Sequence, residues 1–303
     1  MPDEAAFVRS RRVKKTPVAV NAGLGAISRE REALHKALCK DTFLLIGKAR
    51  TPTSADSSNK VSLAVAAHIA AAIGAKQASA RPSPQTLGSN FQHHCKQFLE
   101  STFSLLGAVR PGEWKYFEGK SIAQFEQYAH LKTIAAVLEE HPALRASLGG
   151  DYIIKPDVVI ARGLVSDSAL NATTDVVDAV SARLASIRKA NGGRDLLHAS
   201  VSCKWTIRSD RVQNSRAEAL NLIRNRKGRL PHVVAVTAEP LPSRLASLCY
   251  GTGDLDCIYH IALDELLVAV EALGYADAHS TLQELIDGRR LKDIADLPLD
   301  LAV

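Results

Sequence analysis

The chain of 303 residues is 46% hydrophobic and 23% charged, with a mean hydropathy of −0.03. These are the values of a globular protein and exclude disordered, collagenous and membrane-embedded classes. A chain of this length buries roughly three quarters of its unfolded surface, so one large domain needs no metal or disulfide staple. The longest apolar run, Val65–Ile73, is rich in Ala and interrupted by His68, well short of the ~20 residues of a membrane span. Five cysteines, Cys39, Cys95, Cys203, Cys249 and Cys257, form no C-x-x-C pair, and no secretory signal is legible. Reduced thiols in a cytoplasmic protein are the expectation. The net charge of +6 is modest, but its distribution is not. Between Lys204 and Arg229 stand eight basic residues and only two acids, Asp210 and Glu218, so this window carries the whole excess. A concentrated patch suits a polyanion, although a solvated basic helix explains the same charges.

In chain order, residues 1–28, with Arg9, Arg11, Arg12, Lys14 and Lys15, read as a flexible basic arm ahead of a single domain over 29–303. Helical spacing follows at Ile27–Cys39 and at Lys60–Gly74, the latter ended by glycine. Polar loops are expected at 51–59 and 77–88. Further helices are expected at about Asn90–Leu106 and Ala129–Glu140, with a Pro-Gly-Glu-Trp turn at 111–114 and an irregular stretch between them. After Gly149-Gly150 the pattern becomes extended. Tyr152–Ile154 and Val158–Ala161 read as strands flanking Pro156-Asp157, and 165–190 reads as a peripheral segment with one helix.

Ala199–Arg208 alternates. Ala199, Val201, Cys203, Trp205 and Ile207 are apolar, which places Ser202, Lys204, Thr206 and Arg208 on one working face of a strand. Ser209 stands at an N-cap position for a helix over Asp210–Lys227 closed by Gly228. His232–Ala238 and Asp256–Ala262 read as strands, with helices beyond. This order indicates an α/β protein with a mixed central β-sheet flanked by helices.

Asp157, Lys204 and Glu218 are the residues whose spacing points to chemistry. A carboxylate among β-branched residues is costly unless a cation or donors satisfy it. An amine from the next strand and a second acid from the following helix make a layout that holds Mg²⁺ and sets a water against a phosphate. On its own the pattern is weak, and a strand-end Asp beside a surface Lys accounts for it more simply. His93-His94-Cys95 is a poor zinc candidate, because adjacent helical residues point apart.

The stretch from Leu197 through Ser202-Cys-Lys204, Arg208-Ser-Asp-Arg211 and Glu218 to His232 closely resembles the NgoMIV-type restriction endonucleases. These are type II enzymes of the group that reads sites with a central CCGG. Asp151–Asp157, Thr237–Arg244 and Arg290–Val303 carry the same resemblance, which runs from about residue 29 to the end. It implies a restriction-endonuclease-like core and a variant of the PD-(D/E)xK site, with Asp157, Ser202, Lys204 and Glu218 matching one for one. Asp157 and the backbone carbonyl of Cys203 are then implied ligands of Mg²⁺, two ions per site. Lys204 is implied to hold or activate the attacking water, with Glu218 outside the metal's own shell. Cys203 turns its thiol to the core.

One position departs from the pattern. Where the family has an early Glu on the helix after Gln85-Thr-Leu-Gly88, this chain has Gln92. A neutral amide orients water but adds no charge, which puts the second metal in doubt. Glu100 lies roughly 80° away around the helix and is a poor substitute.

The resemblance also makes Arg208, Asp210 and Arg211 the major-groove readers. Arginines fork onto guanine, and an aspartate accepts from cytosine. Asp56 and Ser58 would read the outer base pairs, with Gln85 and Arg244 in the minor groove. The implied target is GCCGGC, cut after the first G to leave a four-base 5′ overhang. The implied setting is a prokaryotic cytoplasm, with a homotetramer built as a dimer of dimers and a cognate cytosine methyltransferase as functional partner. A sequence-specific DNA-binding protein with a weakened nuclease site, through Gln92, is the alternative.

Overall fold

A computed structural model describes residues 23–149, 152–207, 209–251 and 253–303, with the side chains of 209–212 outside the described set. The basic residues of the expected N-terminal arm, Arg9 to Lys15, lie outside the described residues, and the first helix begins at Ala26. The strands are β1 (Leu44–Ile46), β2 (Thr51–Pro52), β3 (Lys76–Ala78), β4 (Trp114–Glu118), β5 (Val158–Arg162), β6 (Leu196–Lys204), β7 (His232–Thr237), β8 (Cys257–His260) and β9 (Leu291–Asp293). The helices are α1 (Ala26–Asp41), α2 (Lys60–Ile73), α3 (Pro84–Ser104), α4 (Leu131–Glu140), α5 (Pro142–Leu148) and α6 (Asp167–Leu170), followed by α7 (Ser209–Asn225), α8 (Pro242–Cys249), α9 (Leu263–Ala272), α10 (Ala276–Asp287) and α11 (Leu297–Asp300).

Six strands form one sheet in the order β4-β5-β6-β7-β8-β9. The pairs β4–β5 and β5–β6 are antiparallel and the rest parallel, which makes the expected mixed sheet. A second, three-stranded sheet has the order β2-β1-β3. Helices flank the main sheet, and β6 is buried on both faces. Ser200 and Ser202, on its polar face, are 5% and 6% exposed, while Ala199 and Val201 are fully covered. The alternation therefore marks two different packing partners rather than one wet face. Cys203 meets Cys95 of α3 on one side, and Ser202 meets Ser215 of α7 on the other.

Four sequence expectations change. α3 begins at Pro84, six residues earlier than expected, because Ser83 caps it through Thr86 N (3.0 Å) and proline is favoured in the first turn. The stretch 114–118 is a strand, held by aromatic edge contacts of Trp114 and Tyr116 on Phe103. Tyr152–Ile154 is not a strand, since the carbonyl of Ile154 accepts from Ile122 N at a turn and not from a neighbouring strand. β6 ends at Lys204, so Thr206 does not continue its face, and Arg208 lies outside the described residues. Trp205 draws the chain inward, with its indole edge-on to Phe43 and Phe91 at 5.3 Å each and its Nε1 donating to Thr53 O. All five cysteines are buried and free.

Candidate active site

Asp157 sits one residue before β5. The register of Val158 with Val201 places Asp157 opposite Ser202, and its carboxylate reaches one residue further along β6. Oδ2 accepts from Cys203 N and from Lys204 Nζ, both at 2.8 Å. Its backbone carbonyl accepts from Gly119 N, which ties it to the end of β4. No hydrogen bond from a described residue reaches Oδ1. Lys204 and Asp157 are partly shielded, with side chains 15% and 29% exposed. Burial disfavours the ammonium, but Asp157 and Glu218 outweigh it, so the pKa of Lys204 stands above its ordinary value.

Glu218 arrives from the far side of the sheet. Helix α7 meets β6 through the Ser202 Oγ to Ser215 Oγ contact of 3.2 Å, and its Ala219 and Leu222 are fully buried in the core. Residues three apart share a helix face, so Ser215 carries Glu218 to the same end of the strand. Burial first, and the Asp157 charge after it, push the Glu218 carboxyl up, while Lys204 opposes the shift. One ammonium thus stands among two carboxylates at the place where β5 and β6 part.

Gln92 comes from the opposite layer. It lies one turn before Cys95, and the Cys95 contact with the Cys203 thiol brings this stretch of α3 against the Lys204 end of β6. Glu100 is turned away and paired with Lys96 at 3.3 Å. His93 and His94 serve different elements, bonding Glu118 at the end of β4 and Asp41 at the end of α1.

The expected outer readers divide. Asp56, Ser58 and Arg244 are together: Asp56 Oδ1 accepts from Ser58 N (3.0 Å) and Ser58 Oγ (2.6 Å), and Asp56 Oδ2 accepts from Arg244 Nη2. Ser58 and the Arg244 guanidinium hold the Asp56 carboxyl far below the usual range. Gln85 is exposed in the first turn of α3, with no contact to that group. Arg208 lies outside the described residues, and the side chains of Asp210 and Arg211 lie outside them as well, although α7 carries their backbone.

A residue that sequence reasoning missed sits beneath these readers. Glu239 is fully buried after β7; Oε2 accepts from Ile207 N at 2.7 Å, Oε1 from Leu241 N at 3.1 Å, and Arg244 Nη1 is 3.8 Å away. It joins the end of β6, the start of α8 and, through Arg244, the Asp56 loop. Burial pushes its carboxyl up to about 7 against those stabilising contacts. The available signal was an isolated acid following the buried run Val233–Ala238.

The donor set at Asp157 and Glu218 is all oxygen. Carboxylates with a backbone carbonyl fit Mg²⁺, which retains several waters and accepts phosphate oxygens as further ligands.

A family profile described as NgoMIV restriction enzyme matches residues 34–303. The type II restriction enzyme NgoMIV of Neisseria gonorrhoeae is 47% identical over 281 residues, covering 91% of this chain and 98% of that protein.

Proposed function

The chain belongs to the NgoMIV family of type II restriction enzymes, and on that premise we propose that it hydrolyses double-stranded DNA at G/CCGGC with Mg²⁺, leaving four-base 5′ overhangs. The observation that carries the chemistry is the Asp157 carboxylate, held at 2.8 Å by both Lys204 Nζ and Cys203 N where β5 and β6 separate. Asp157, the Cys203 carbonyl and, further out, Glu218 are the groups to hold the metal. Mg²⁺ supplies charge stabilisation on the attacking and leaving oxygens.

The chain's own residues supply the rest. Cys203 N–H and Lys204 fix one carboxylate oxygen of Asp157, which leaves Oδ1 for a cation. Lys204 is positioned to hold a water beside the scissile phosphate and to favour its deprotonated form. Ser202 is buried and bonded to Ser215, and its role is to fix α7, and with it Glu218, against β6. Gln92 approaches from α3 as a neutral group that orients water.

Base reading is assigned to Arg208, Asp210 and Arg211 in the major groove, where arginine forks suit guanine and aspartate suits cytosine. Asp56, Ser58, Gln85 and Arg244 take the outer pairs. A palindromic site needs two active sites related by a two-fold axis, and a tetramer of two such dimers is the assembly we assign. A cytosine methyltransferase is the functional partner that protects host DNA, and the cytoplasm of a prokaryote is the setting.

The test is digestion of a plasmid carrying two GCCGGC sites in Mg²⁺. Discrete fragments with four-base 5′ overhangs are expected, and uncut or randomly cut DNA would refute the assignment. Sequence-specific binding without cutting would favour instead a DNA-binding protein whose nuclease is weakened at Gln92.

A further inference from the structure

A cavity of about 640 Å³ opens at the end of the sheet away from Lys204. It touches β6 at Leu196–His198, six residues or roughly 20 Å of strand from Lys204. Its charged lining is predominantly positive, with Arg110, Arg162, Lys227 and Arg229 against one acidic side chain, Glu126, and the carboxylate of the last residue, Val303. Glu126 is already engaged, Oε2 accepting from Arg194 N at 3.0 Å.

Arg110 is the anomaly. It is 6% exposed, and among the described residues neither it nor Arg162 or Arg229 forms an ion pair. The Arg110 guanidinium lies over Trp114 at 4.5 Å, with that of Arg162 near the same ring at 5.6 Å. The Nε atoms of Arg110 and Arg162 are both buried without a hydrogen-bond partner. Arg110 Nη1 lies 2.8 Å from His198 Nε2, but that nitrogen also lies 3.0 Å from the Leu301 carbonyl, so it accepts from Arg110 only in the tautomer that gives up Leu301; burial and the Arg110 charge hold the imidazole neutral, its pKa pushed down to about 3. Burial, with Arg162 and Arg229 adding to it, brings even the Arg110 guanidinium down to about 10. A buried cation without a counter-charge is costly, and arginine forks converging from separate elements complement a multidentate oxyanion.

We propose that this cavity is a second anion site, distinct from the catalytic centre, in which Arg110, Arg162 and Arg229 bind a phosphate group. The charge excess fits a dianion, and the cavity has room for an organic body against its apolar wall. The phosphate belongs either to a small phosphomonoester or to a DNA backbone.

Calorimetric titration with inorganic phosphate, at low ionic strength in EDTA, tests the site. One saturable site per chain is expected, retained in Lys204→Ala and weakened at least tenfold in the double variant Arg162→Gln/Arg229→Gln, whose changes avoid the buried Arg110. Circular dichroism and thermal unfolding check that this variant is folded. Affinity for a duplex lacking GCCGGC, unchanged in the double variant, assigns the site to a small phosphomonoester; a parallel loss assigns it to backbone phosphate. Absence of saturable binding, or its loss with Lys204 rather than with the arginines, overturns the proposal. So does a double variant that binds phosphate normally or changes only its oligomeric mass.

Discussion

Lys204 is protonated in the resting protein because Asp157 and Glu218 stabilise the ammonium more than burial penalises it. Lys204→Ala is therefore expected to abolish cleavage in Mg²⁺ while keeping specific duplex binding in Ca²⁺, measured by gel shift; continued cutting would move the chemistry elsewhere. Gln92→Glu adds a carboxylate on the α3 side and is expected to hold or raise the single-turnover rate. A large loss would mean that the amide has another role. Glu239 yields a pH prediction. Its folded pKa, about 7, is above the unfolded value, so the folded state binds the extra proton between them. Stability from this group is then greatest in acid and falls as pH rises from about 4.5 to about 7, with no further loss above. Unfolding free energies of the wild type minus Glu239→Gln, measured from pH 4.5 to 8, should decline over that interval and then level; a difference that grew with pH would contradict the burial argument. Of these three residues, Lys204 and Gln92 are visible in sequence through their motifs. Glu239 is not, because its partners Ile207 and Arg244 belong to different elements and only packing brings them to it.

At the scale of elements, the proposed active site depends on two helices meeting one strand. α3 meets β6 through Cys95 and Cys203, and α7 meets it through Ser215, with Ala219 and Leu222 of α7 buried in the core. Truncating Leu222 to Ala leaves a cavity in a fully buried layer and is expected to destabilise by about 2–5 kcal/mol, read by chemical denaturation. The loss should come with a fall in cleavage rate, since Glu218 rides on the same helix. Local signals served well where one element decides its own limits. Asn59 and Gly74 bound α2, Asn59 accepting from Ser62 N at 3.0 Å and Gly74 adopting a left-handed φ of 76°. They served poorly where a distant contact decides. β6 stops at Lys204 because Trp205 finds Phe43, Phe91 and Thr53, none of which is near it in the chain.

At the scale of the molecule, the concentrated basic excess divides between two places. Lys204 stands beside Asp157 at one end of β6, whereas Lys227 and Arg229 line the cavity at the other end. A tetramer gives a particle of four times the 32.6 kDa chain in light scattering, and a monomer in the presence of cognate duplex would exclude paired cleavage of a palindrome.

The sequence by itself determined the mixed α/β class, most of the longer helices and the strands around Asp157 and Lys204, and it marked Asp157, Lys204 and Glu218 as candidates, with Ser202 added by the resemblance. These depend on periodicity, caps and residue types at short or motif-bound spacing. Only the tertiary structure decided that the Asp157 carboxylate accepts from both Cys203 N and Lys204, that Glu239 supports the Asp56–Arg244 pair, and that Arg110 is buried without an ion-pair partner among the described residues. Each of those depends on burial and on contacts between residues far apart in the chain, where desolvation sets the energy and no local pattern records it.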